Sequence, residues 1–219
     1  MCSTKWETKN MTTKHNTLDM LEFEDKYLAQ GLHLIAGVDE VGRGPLAGSV
    51  VVACVIMPLG KDEIILGVND SKKLSEKKRE ELNEKILAKA ICCNIVEMNE
   101  KIIDEINILN ATKLAMKNAI NGMETQPQIT LIDAVNIDCN SPIEAIVKGD
   151  AKSYSIACAS IVAKVWRDNQ MKEYDKIYPQ YGFASNKGYG SAQHIQALKE
   201  CGKCPIHRNS FIRNFVNEQ

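Results

Sequence analysis

The sequence predicts an α/β domain, with a sheet covered by helices. Short runs rich in valine and isoleucine, several of them ending in an acid, alternate along the chain with longer segments whose apolar residues fall at helical spacing. At 219 residues and 44% hydrophobic content, the chain suffices for one sizeable core but is short for two enzyme domains.

Taken in order, residues 1–17 are polar and mixed in charge and are expected to be disordered. They lack the apolar stretch and small-residue cleavage site of a secretory signal. Leu18, Leu21, Phe23 and Leu28 mark a short amphipathic helix over 18–30, an extension appended to the core. Residues 33–41 and 46–57 have strand composition and form a hairpin across the loop Gly42-Arg43-Gly44-Pro45, where glycine and proline turn the chain and let a ligand approach the backbone. Ser75 caps a helix over 76–90; a strand follows over 91–98, then one or two helices over 100–122. Residues 128–133 read as a strand closed by an acid, and 143–148 as another. Asp150 is expected to open a helix running to about residue 168, with a further helical stretch to 177. One proline, three glycines and three tyrosines make 178–191 a loop, and 191–201 is the last helix. The expected division is an extension over 1–30, a core over 31–178, and a helical lobe with tail over 179–219 belonging to the same domain.

Composition excludes several classes. Apolar runs such as 49–57 and 155–165 are interrupted well before they could cross a bilayer, so no membrane association and a cytoplasmic location are expected. Eight cysteines scattered through apolar segments of a core-rich chain read as reduced thiols rather than a disulfide scaffold. Cys201, Cys204 and His207 could supply three zinc ligands, but a structural site needs a fourth; the simpler reading is a turn after a helix with thiols partly buried. The net charge of −1 gives no global positive field, although from Asp150 onward ten Lys and Arg face six Asp and Glu, consistent with a basic patch.

The acids that end apolar runs carry the chemistry. Asp39 and Glu40 follow 34–38, Asp133 follows 129–132, and Asp150 precedes a helix rich in small residues. A partly desolvated carboxylate costs several kcal/mol unless a cation or hydrogen bonds compensate. Hard oxygen ligands suit Mg²⁺ or Mn²⁺, and a pair of such ions can clamp the attacking water and the leaving oxygen of a phosphodiester. Each acid taken singly is equally compatible with a strand end or a helix cap.

The run Ile35-Ala36-Gly37-Val38-Asp39-Glu40-Val41-Gly42-Arg43-Gly44-Pro45-Leu46-Ala47-Gly48 resembles ribonuclease HII. The resemblance continues in order through Asp70-Ser71-Lys72-Lys73-Leu74, Leu131-Ile132-Asp133, Gly149-Asp150-Ala151-Lys152-Ser153, Lys187-Gly188-Tyr189-Gly190 and Cys204-Pro205-Ile206-His207-Arg208-Asn209-Ser210-Phe211. It implies a ribonuclease H-like fold, a five-stranded mixed sheet flanked by helices with a small helical C-terminal lobe. It also implies that Asp39, Glu40, Asp133 and Asp150 hold two Mg²⁺ or Mn²⁺ ions, while Asp168 is not carried over. In the family pattern Gly42, Arg43 and Gly44 read the ribose 2′-hydroxyl, and Tyr189 packs on the next, deoxy, sugar. Lys72, Lys73 and Lys187 are candidate phosphate contacts. The implied substrates are RNA/DNA hybrids and duplex DNA with embedded ribonucleotides, cut 5′ to the ribonucleotide to leave 5′-phosphate and 3′-hydroxyl ends, with a role in ribonucleotide excision and replication; a monomer is expected. The alternatives are an inactive hybrid-binding module, a ribonuclease HIII-like enzyme limited to long hybrids, and a zinc-binding structural protein. Ser49, Ala134, Asn186 and Ser191 depart from the usual family residues, respectively proline, glycine, histidine and threonine, and none of them is a carboxylate of the site.

Overall fold

The computed structural model describes residues 17–216. The disorder expected over 1–17 therefore lies outside the described residues except for Thr17, which is buried. A short 3-10 turn leads into α1 (Glu22–Leu28), and β1 (Ile35–Val41) and β2 (Val50–Ile56) form the expected hairpin. Then come α2 (Glu76–Lys89), β3 (Cys92–Met98), α3 (Glu100–Asn121), β4 (Ile129–Asp133) and β5 (Ile143–Ile146). The chain closes with α4 (Tyr154–Ile177), α5 (Phe183–Asn186), α6 (Ala192–Cys201) and α7 (Asn209–Ile212).

The five strands make one mixed sheet in the order β3-β2-β1-β4-β5. The β1–β2 and β2–β3 pairs are antiparallel, whereas β1–β4 and β4–β5 are parallel. Because side chains alternate along a strand, each face has its own core. Val51, Ala53 and Val55 meet α2 and α4, while Val50, Val52 and Cys54 meet α3. A further cluster, including Leu46, Met171, Tyr181, Phe183 and Leu198, joins the C-terminal helices to the β1–β2 loop.

Helix α4 lies across β1 at backbone contact. A β-carbon on Gly37 would overlap the carbonyl group of Ser155, so only glycine lets the first turn of α4 sit directly on the strand. That turn is also tied to α1. Glu24, wholly buried, accepts from Ser153 Oγ at 2.6 Å and from the Ser155 N–H at 2.9 Å, placing a carboxyl at the N-terminus of the helix. The extension is thus built into the core, with Phe23, Tyr27 and Leu28 packed against Ile35, Ile129, Leu131 and Ile156.

Three local expectations need correction. Asp150 does not open α4: it sits in a 3-10 turn (Gly149–Ala151), and Ser153 is the N-cap, its hydroxyl accepting from Ile156 N–H. Nor does the helix break at Asp168, which pairs with Lys164 one turn earlier at 2.7 Å and so supports continuation to Ile177. Within the expected loop 178–191 the chain makes a 3-10 turn and α5, because Gly182 and Lys187, both left-handed, bracket a single helical turn. The one or two helices expected over 100–122 are two segments meeting at Asn107, whose φ of 64° interrupts α3 and whose side chain caps Asn110 N–H.

Two substitutions, one at the buried Gly37 and one at the exposed Ala134, should move stability in opposite directions. Gly37→Ala drives a methyl into α4, and overpacking of this kind costs about 3 kcal/mol or more; thermal unfolding should fall by roughly 6–12 °C. Ala134, immediately after β4, has a φ of 51°, strained for any residue with a β-carbon. Ala134→Gly should raise the unfolding midpoint by about 1–4 °C, the relief of strain exceeding the added chain entropy.

Candidate active site

The parallel register of β1 and β4 brings the acids together. Val38 stands opposite Ile132, so the next residues, Asp39 and Asp133, leave adjacent strands side by side. Both project on the α4 face, Asp39 with Gly37 and Val41, Asp133 with Leu131. Glu40 alternates to the other face at the end of β1, where Arg43 Nη1 reaches its Oε1 at 3.5 Å. Asp150 is carried to the same end of the sheet by its 3-10 turn, because the Gly149 N–H donates to Asp133 Oδ1 at 2.9 Å.

The surroundings make Asp39 and Glu40 reluctant to ionise. Burial, then the charge of Glu40, pushes Asp39 well above the usual aspartate range, despite hydrogen bonds from Ser160 and from the Glu40 N–H. Burial likewise raises Glu40, with Asp133 adding repulsion and Arg43 opposing it. The Lys72 ammonium lies 3.6 Å from Asp150 Oδ2 and is held above the ordinary lysine range by Asp150, Asp39 and Asp70, against its own partial desolvation. Among the described residues, no group of three or more His, Cys, Asp and Glu is already closed into an ion cage. The donor set nevertheless fits a hard divalent cation: carboxylate oxygens gathered at one end of neighbouring strands, with Asp39 and Asp150 buried and Glu40 and Asp133 half-buried.

Beside the acids, the 42–49 loop is pinned from below. Gly42 has a φ of 95°, and a β-carbon there would collide with the Arg167 side chain. Gly44 is open, the nearest atom to its missing side chain being Tyr189 Cε1 at 3.5 Å. Tyr189 itself is 48% exposed and lies beside Gly44. The loops are stitched together where Leu46 N–H donates to the Gly188 carbonyl at 2.8 Å and the Ala47 backbone bridges His207.

The lysines divide. Lys72 joins the acids; Lys73 turns to Asp70 at 3.7 Å; Lys187 donates its ammonium to the Ala184 carbonyl at 2.6 Å. Asp168 belongs to an ion pair with Lys164 and Arg79, and Arg79 also holds the Ser71 carbonyl. Cys204 and His207 are buried and hydrogen-bonded, with His207 Nε2 facing His194 Nε2 at 2.9 Å, whereas Cys201 is exposed. The departures find local roles. Asn186 Oδ1 accepts from the Gly188 N–H, Ser191 caps α6 through the His194 N–H, and the Ser49 carbonyl receives Arg167 Nε. Sequence reading missed Ser160, Arg167 and Arg208 as parts of this assembly. Their only signal was an unbroken helix and a tail motif, with nothing to say which loop they would reach.

Comparison with known proteins fixes the family. The ribonuclease HII family model matches residues 36–214. The chain belongs to the ribonuclease HII family. Ribonuclease HII of Ruminiclostridium cellulolyticum is 55% identical over 198 residues, 90% of this chain and 77% of that protein. That of Lachnoclostridium phytofermentans is 59% identical over 184 residues, 84% and 72% of the respective chains. The solved ribonuclease HII of Archaeoglobus fulgidus, in complex with PCNA, superposes with a TM-score of 0.72 at 26% identity, covering 85% of this chain and 98% of that one. Ribonuclease HII is a type 2 ribonuclease H, an RNA-hydrolysing endonuclease, and the five-stranded mixed sheet found here is that of its fold.

A pH test of the buried acids follows. Asp39 binds its proton more tightly folded than unfolded, so its contribution favours folding at acid pH and is lost as pH rises from the unfolded aspartate value through the raised one. In metal-free buffer, Asp39→Asn should therefore unfold a few degrees higher than the parent at about pH 8, with the difference closing towards about pH 4. A variant less stable than the parent at both pH values contradicts this account of Asp39.

Proposed function

We propose that the protein cuts duplex nucleic acid on the 5′ side of ribonucleotides, acting on RNA/DNA hybrids and on single ribonucleotides embedded in DNA. The observation that carries the proposal is the juxtaposition, at one end of the sheet, of Asp39, Glu40, Asp133 and Asp150 with the Gly42-Arg43-Gly44 loop and the facing Tyr189. The four carboxylates are the residues that would hold Mg²⁺ or Mn²⁺. Ions bound there supply Lewis acidity, lowering the pKa of a coordinated water and stabilising charge on the leaving 3′-oxygen.

The remaining work belongs to the chain. Gly44 carries no side chain to keep a sugar from the loop backbone, whose N–H groups can meet the 2′-hydroxyl that separates RNA from DNA. The Tyr189 ring, half exposed opposite Gly44, packs on the neighbouring sugar, where a 2′-hydroxyl would crowd it. This selects an RNA-to-DNA junction and favours the embedded-ribonucleotide reading over one restricted to long hybrids. Lys72, beside Asp150, neutralises part of the carboxylate charge that would otherwise repel the phosphate. Lys73 and Lys187 are left as outer phosphate contacts that add affinity without selecting sequence. Ser160, hydrogen-bonded both to Asp39 and to Ser71, links the carboxylate to the turn that carries Lys72.

A duplex carrying one ribonucleotide, incubated with Mg²⁺ and then Mn²⁺, should be cut once, leaving 3′-hydroxyl and 5′-phosphate ends. Asp133→Asn should lower the rate by about a hundredfold or more, since several kcal/mol of transition-state stabilisation depend on the ligand set. Undiminished cutting by that variant refutes the assignment. Cutting of long hybrids alone would instead remove the role given to Tyr189.

A further inference from the structure

Arg167 and Arg208 head the fully buried side chains, and all the hydrogen bonds their guanidinium groups donate go to backbone carbonyls. Arg208 spans the loop: it donates to the Gly42 carbonyl at 2.6 Å, to the Arg43 carbonyl at 3.0 Å, and to the Gly48 carbonyl at 2.6 and 2.9 Å. Arg167 takes the far side, donating to Ala47, Ser49 and, on the Tyr189 turn, Lys187. A buried charge is retained only where polar partners repay its desolvation, and here five loop carbonyls and one on the facing turn do so. Burial and the neighbouring Arg167 pull Arg208 down to about 9, which leaves it charged at neutral pH.

The planar trans peptide turns this contact into an orientation. In a trans unit the carbonyl and the N–H point in opposite directions. With the Gly42 and Arg43 carbonyls drawn inward to Arg208, the N–H groups of Arg43 and Gly44 point away from the guanidinium. Neither N–H has an acceptor among the described residues. Successive outward N–H groups after a left-handed glycine form a concave donor site.

We propose that Arg208 is a positioning residue that sets the enzyme's discrimination for ribose, by holding the 42–43 and 43–44 peptide groups with their N–H donors towards the sugar. Arg167 secures the opposite end of the loop and couples it to the Tyr189 turn. Lysine cannot replace the arginine. An ammonium on a flexible stem lacks the planar fork that reaches residues 42, 43 and 48 together.

The inference rests on the proposed reading that this loop recognises ribose, and the test separates the two. For the parent, Arg208→Lys and Arg208→Gln, KM and kcat are measured on a duplex with one ribonucleotide. The same duplex made entirely of deoxynucleotides serves as competitor, giving its inhibition constant. A parent KM no lower than that constant would overturn the ribose reading itself. With discrimination established in the parent, both variants should raise KM by about tenfold or more while the all-DNA inhibition constant stays within about twofold. Partial unfolding lowers the active fraction and therefore kcat, but leaves KM and the inhibition constant unchanged, so stability loss does not imitate the result. The inference fails if KM and the inhibition constant rise together, if neither moves, or if no folded variant is obtained at any assay temperature, since Arg208 is then merely structural.

Discussion

The docking of α4 onto β1, backbone against backbone at Gly37, governs where every functional group can stand. From that contact the helix runs beneath the site and contributes at successive turns. Ser155 N–H meets Glu24, Ser160 meets Asp39, Lys164 meets Asp168, Arg167 meets the loop, and Met171 fills the space against Gly48 and Gly188. A shift of one residue in this packing would displace all of them together. Close-packed interiors do not absorb such shifts gradually. The small residues along the buried face of α4 therefore define the position of the site as directly as the carboxylates define its charge.

Two opposed charge arrangements are buried within this frame. At the end of β1, Asp39 and Glu40 resist ionisation through burial and repulsion from neighbouring carboxylates, so they favour a divalent cation over solvent. Below the neighbouring loop, guanidinium groups are satisfied by carbonyl dipoles alone, and positive charge is fixed close to where a phosphodiester would approach. The two differ in rigidity. A carboxylate can rotate towards a ligand, whereas a guanidinium bonded to several carbonyls locks backbone. On the proposed reading, the arrangement combines an adaptable ligand set with a fixed reading surface, as selectivity for a single hydroxyl requires.

Much of this was legible in the sequence. Alternation of apolar strands and helical segments identified the layers, Ser75 and Ser191 were readable caps or helix starts, and the acids expected at strand ends are brought to one end of the sheet. The start of α4 was misjudged because aspartate and serine are equally good N-caps, and only the Gly149 hydrogen bond to Asp133 diverts Asp150 into a separate turn. Lys187 and Ala134 adopt left-handed backbone that composition does not announce. Arg167 and Arg208 were invisible for a different reason. Their meaning lies mainly in contacts to the 42–49 loop across 118 to 166 residues of chain, and on sequence alone each resembles any other basic residue.

On the proposed reading, selectivity and affinity reside in different parts of the molecule. Lys72 and Lys73 are exposed amines on flexible stems, and contacts of that kind bind phosphate with a strength that falls as salt rises, irrespective of sugar. The Gly42-Arg43-Gly44 backbone contributes few such charges but presents donors in one orientation. Losing a surface lysine weakens binding to every duplex alike. Loosening the loop would, on the same reading, leave DNA binding largely intact and remove the distinction between ribose and deoxyribose, because a hydrogen bond discriminates only while its donor is prevented from turning elsewhere.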